Sequence, residues 1–194
     1  MKKLIFSALI ASVLLSFSAC GSFNNYDAAT DGIERIFNDV KRTVGEDGQI
    51  DEILIMFSKE DGKKSMIDYF KVDFQSKSDK NKLQRVAYHG HSGWTPIEPL
   101  EITIRGGNAA DYDLSYDVSS ISLVKPDVVK KIYDNALQYV GETCDDIIFT
   151  SISVDLVADE DLKYKTSLKG TLKSNGVKDS FYLDFDQDGN MTRK

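Results

Sequence analysis

The chain has 194 residues, 41% of them hydrophobic, which is enough for one single-core domain or two small subdomains. Its 24 Lys plus Arg stand against 31 Asp plus Glu, a net charge of −7. Nucleic-acid binding needs clustered cations, so this balance argues against it, and equally against electrostatic adhesion to anionic lipid.

The first element is a leader. Lys2 and Lys3 precede an apolar run from Leu4 to Phe17, too short to span a bilayer comfortably but suited to a secretory segment. Ser18 and Ala19 then lead into Cys20. This pattern resembles a bacterial lipoprotein signal, with Phe17 a departure from the aliphatic residue usual three places before the cysteine. The resemblance implies that residues 1–19 are removed and that Cys20 is acylated. Several acyl chains, at about 0.8 kcal/mol per buried methylene, would hold the protein at a membrane without a spanning helix. The address implied is the cell envelope, the outer membrane being the expected site, facing the periplasm or the cell surface. Loss of Lys2 and Lys3 makes the remaining charge about −9. Residues 20–29 read as a polar tether. With Cys20 acylated, Cys144 in "GETCDD" has no disulfide partner, and its aspartate neighbours do not favour a thiolate, so it is read as structural.

Two helices follow from apolar spacing. Ile33, Ile36, Phe37, Val40 and Val44 mark the first, and Val129, Ile132, Tyr133, Ala136 and Val140 the second. Both runs close on Val-Gly-Glu, so Gly45 and Gly141 are expected helix stops. Thr30 or Asp31 suits the first N-cap, and Pro126 suits the first turn of the second helix. Each helix precedes three strand-like runs: "QIDEILIMFS", "SMIDYFKVDFQ" and "KLQRVAYH", then "DDIIFTSISVDLV", "LKYKTSLKGTLK" and "DSFYLDFD". Asn175-Gly176 between the last two is a hairpin signal.

The expected fold class is therefore α+β: two repeats of one helix packed on a three- to four-stranded antiparallel sheet. The first repeat covers 30–107, with "LEITIR" as an extra strand. A linker covers 108–125, and the second repeat covers 126–194.

The chain nearly closes on "DFDQDGN". Phe181, Tyr182, Leu183 and Phe185, followed by Asp186, Asp188, Gly189 and Asn190, resemble the end of PepSY-like domains of secreted bacterial proteins. The likeness covers residues 126–194 and, more faintly, 30–105. It implies a non-enzymatic module that binds or inhibits a protein at the envelope. The same stretch has a calcium reading, since Asp184, Asp186, Asp188 and Gly189 match positions one, three, five and six of an EF-hand loop. The bidentate Glu of position twelve would fall past Lys194, and a strand stands where the entering helix should be. The bland reading is a hairpin turn at Asp188-Gly189 or Gly189-Asn190.

Other candidates are sparse. His89 and His91 lie two apart in "YHGHSGW", a spacing that on a strand lets two imidazoles share a metal, but zinc needs a third or fourth ligand and no cysteine is available nearby. No serine sits in a nucleophile-elbow pattern, so a hydrolase of extracellular polymers rests on compartment alone. Trp94, Tyr112 and Tyr116 are either packing residues or anchors for an envelope protein or polymer. No cofactor is expected beyond the calcium alternative.

Overall fold

The computed structural model describes residues 25–101, 114, 118–156 and 162–193. Helix α1 spans Gly32–Val44, and its five apolar positions are all buried. It stops at Gly45, whose φ of 102° is open to glycine, and whose N–H bonds the Lys41 carbonyl at 2.7 Å. Neither Thr30 nor Asp31 caps its start through a side chain. Asp27 shapes that turn instead, its carbonyl accepting the N–H groups of Thr30 and Gly32. Helix α2, Pro126–Thr143, carries Pro126 in its first turn but runs through Gly141 to Cys144, whose N–H closes on Val140. The two Val-Gly-Glu runs therefore do different work.

The long strands fall on the apolar runs: β1 Gln49–Phe57, β2 Ile67–Gln75, β3 Leu83–His89, then β7 Cys144–Asp155, β8 Lys163–Leu172 and β9 Lys178–Phe185. Short strands complete the set: β4 Gly93–Trp94, β5 Glu98–Leu100, β6 Ser119–Ser120 and β10 Met191–Arg193. Asn175-Gly176 turns β8 into β9, with Gly176 at φ 70°.

The expected architecture is overturned. The strands do not form two three- to four-stranded sheets. They form one ten-stranded antiparallel sheet in the order β10-β9-β8-β7-β1-β2-β3-β4, with β5 on β3 and β6 on β1. The joint is β1 against β7, where Glu52–Met56 pair with Ser151–Asp155. Separate sheets would leave β1 and β7 each with a long edge of unpaired N–H and C=O groups, and pairing them removes both edges. The helices lie over one face, and a single apolar cluster runs beneath them from Ile53 and Phe70 to Leu168 and Phe185.

Two segments expected outside the fold belong to it. Within the expected tether, Tyr26 and Ala28 are fully buried, the Tyr26 carbonyl accepts the Ile67 N–H at 2.8 Å, and Asp27 bridges Met66. Within the expected linker, Ile121 and Val124 are core residues, and Leu114 and Val118 pack with Leu83 on a second small cluster. Of "LEITIR", Leu100 ends β5, and residues 102–105 lie outside the described residues.

The face away from the helices is charged and ordered. On β2, Phe70, Val72 and Phe74 enter the core, so Lys71 and Asp73 point the other way. Asp73 is only 3% exposed. Its carboxylate accepts two 2.7 Å hydrogen bonds from Arg85 on β3, and Lys71 reaches both Asp73, at 3.4 Å, and Glu52 on β1, at 2.7 Å.

Candidate inter-strand cleft and the predicted residues

The β1–β2 connection faces helix α2 and the start of β7 across a cleft of about 380 Å³. Its floor is apolar. Tyr133 stacks on Phe149 with ring centroids 4.8 Å apart, Phe57 closes on both from behind, and Leu137 and Ile147 flank them. The rim is polar and comes from Asp61, Gly62, Lys64 and Ser65. Lys64 pairs with Asp61 at 3.4 Å, and the neighbouring Lys63 pairs with Glu60 at 2.8 Å. Gly62 sits at φ 77° at the loop tip, where glycine avoids the left-handed penalty. Burial, with the negative charges of Asp27 and Asp134, pushes the Tyr133 phenol up to about 12. The rings are nearly covered, Tyr133 at 4% and Phe149 at 1% exposure, so the cleft offers mainly the half-buried Leu137 and Ile147 to an apolar group, under a zwitterionic rim.

Sequence reading missed this site for a definite reason. Tyr133 and Phe149 stand at core-spaced positions, and only the tertiary fold leaves their rings at the margin of the core beneath a loop. A second concavity, about 490 Å³, runs along β9 between Tyr139, Phe181, Tyr182, Leu183 and the Asp184–Arg193 pair.

Trp94 is half-buried on β4. Its indole N–H donates to the Tyr26 hydroxyl at 3.2 Å, and its ring meets Tyr88 and Phe70 at 5.7 and 6.1 Å. It plugs the edge of the core and ties the N-terminal segment to the sheet. Tyr112, Tyr116 and Cys20 lie outside the described residues. Cys144 is buried and free at the start of β7, with Gly170 so close that a Cβ there would lie 2.7 Å from the cysteine Cβ. The His89 ring meets Tyr69 at 5.0 Å, tilted by 56°, and His91 lies 5.8 Å from His89. Among the described residues, neither histidine pairs with a carboxylate.

"DFDQDGN" is the β9–β10 hairpin. The Gly189 N–H bonds the Asp186 carbonyl at 3.0 Å, centring the turn on Gln187-Asp188, one place before the first expected position and two before the second, with Gly189 following at φ 75°. Asp186 organises it: Oδ1 accepts the N–H groups of Asp188 and Asn190 at 3.0 and 2.8 Å, and Oδ2 accepts from the Asn190 side chain. These donors, chiefly the Asn190 N–H, hold its carboxyl below the ordinary 3.8. The hairpin docks on α2, where Lys131 Nζ donates to the Asp188 carbonyl at 2.8 Å and Asn135 donates to the Gly189 carbonyl at 3.3 Å.

Two of the three aspartate side chains have separate partners: Asp184 faces Arg193 at 3.9 Å and Asp186 serves amides, while at Asp188 it is the backbone carbonyl that Lys131 holds. Among the described residues, no three His, Cys, Asp or Glu side chains form a metal-holding group. Millimolar calcium is accordingly expected to leave the melting midpoint where chelator leaves it, since only a ligand bound to the folded state raises it. A calcium-dependent rise would restore the calcium reading.

Among the described residues, no helix is long and apolar enough to cross a membrane. No family model, curated protein or solved structure matches the chain.

Proposed function

We propose that this chain is a lipid-anchored, non-enzymatic protein of the bacterial envelope that binds another envelope protein or a polymer through the cleft between the β1–β2 connection and helix α2. The observation that supports binding is the construction of that cleft. An apolar side chain seated there would lie against Leu137 and Ile147, the partly buried members of the lining, and would gain part of the ~1.5–3 kcal/mol that full burial of such a side chain provides. The paired charges of the rim would orient what enters. The lipoprotein-like leader and the PepSY-like pattern of residues 126–194 favour the same reading. Catalysis has less support, because the one ionisable group of the floor, Tyr133, keeps its proton up to about pH 12.

Leu137→Arg tests the reading by placing a cation on the apolar floor. The variant is expected to melt close to the wild type, because Leu137 is only partly buried. In pull-downs from envelope extract it should lose the partner that wild type and Trp94→Phe both retain. Equal recovery by Leu137→Arg and wild type would discard the cleft as the binding surface.

A further inference from the structure

The place where the N-terminal segment joins the fold sets which side of the protein can meet a membrane. Asn25 is exposed and Tyr26 is fully buried, with its hydroxyl held between Asp39 and the Trp94 indole. Cys20 and Asn25 are five residue steps apart, which span at most about 18 Å when fully extended. A folded domain of this length is about 40 Å across. The headgroup layer itself takes up roughly 6 Å of the leash. A leash that short cannot let the body turn its back.

From this, and resting on acylation of Cys20, we propose that the protein has a built-in bilayer-facing side, formed by the surface around Tyr26, Trp94 and the β1–β2 connection. The pieces are contiguous: the Ala28 N–H bonds the Ser65 carbonyl at 2.9 Å, and Trp94 touches Tyr26. Their chemistry suits a lipid surface. In a chain of net charge −7, the stretch 59–64 carries Lys59, Lys63 and Lys64 against Glu60 and Asp61, with Lys63 and Lys64 paired to those acids, so this loop is less acidic than the body as a whole. A half-buried tryptophan at the same corner matches the preference of indole for the interface. Because Asp61–Ser65 also form the rim of the cleft, the cleft opens at the level of the membrane. Its partner must then be reachable there.

Trp94 is the sole tryptophan, which makes it a reporter. The acylated mature protein is reconstituted into phosphatidylethanolamine–phosphatidylglycerol vesicles, with or without headgroup-region nitroxide lipid, and the intact mass of the same sample is recorded. Trp94 emission is expected to fall with the nitroxide. A Trp94→Phe, Tyr182→Trp variant is expected to keep its emission. Residue 182 lies on β9, six strands from β4, or about 29 Å across the sheet, and it is 70% exposed, so the change is tolerated. A flexible insert of about twenty residues after position 24, which lengthens the tether by roughly 25 Å, is expected to restore Trp94 emission. An acylated protein whose Trp94 is not quenched, or is quenched no more than the reporter at 182, overturns the orientation alone. A protein without acyl mass overturns the anchoring reading, and the orientation with it.

Discussion

Cys20→Ala, expressed behind an ordinary cleavable secretory leader, is expected to move from the membrane pellet to the soluble fraction while the wild type stays in the pellet. A single acyl chain binds a bilayer only marginally, whereas two or more, at about 0.8 kcal/mol per methylene, make the attachment effectively permanent. Nothing else described here replaces that energy. The apolar positions of α1 and α2 are spent on the protein core, and the net charge is negative. Wild type recovered as a soluble protein, or a mature terminus that mass spectrometry finds unmodified, would refute the anchor.

The second large effect concerns the face without helices. Asp73→Ala is expected to destabilise the fold by about 3 kcal/mol, the lower end of the range for breaking a buried ion pair, because Arg85 is one-third exposed and partly rehydrates. For a domain of this size that corresponds to a fall in the melting midpoint of roughly 9 °C. The loss comes less from the missing attraction than from leaving Arg85 and Lys71 beside an empty position. Pairing the change with Arg85→Met should therefore recover much of it. A midpoint within a degree or two of wild type for Asp73→Ala would show that water already screens the pair.

The two predictions draw on different levels of the molecule. The first rests on a short linear pattern, Ser18-Ala19-Cys20 after an apolar run, and needs no fold. The second rests on four side chains, Glu52, Lys71, Asp73 and Arg85, brought together from β1, β2 and β3. Register makes that site: Asp73 stands opposite both Glu52 and Arg85 because the strands pair as they do. Composition shows only that charges are plentiful.

Local structure was legible wherever periodicity was strong. The five apolar positions of α1 are all buried, and the alternation of Tyr164, Thr166 and Leu168 marks a real covered face. It was illegible where two similar local signals meet different surroundings. Val44-Gly45-Glu46 ends a helix because Gly45 turns to φ 102°, while Val140-Gly141-Glu142 continues one until β7 begins at Cys144. "GSFNNYDAA" is polar by composition, yet Tyr26 within it is fully buried, because Asp39 and Trp94 engage the one polar atom of its ring.

Apolar spacing and turn chemistry are local properties, so the chain itself dictated two helices, six long strands, the Asn175-Gly176 and Asp186-to-Asn190 hairpins, and the leader pattern ending at Cys20. Folding in three dimensions settled the rest: that β1 takes β7 as its neighbour, that ten strands share one sheet, and that a loop overhangs Tyr133 and Phe149. The reason is that strand pairing is written in backbone N–H and C=O groups, which are the same at nearly every residue. Which edge they join is decided by the surface buried when two distant stretches meet, and no stretch carries that information alone.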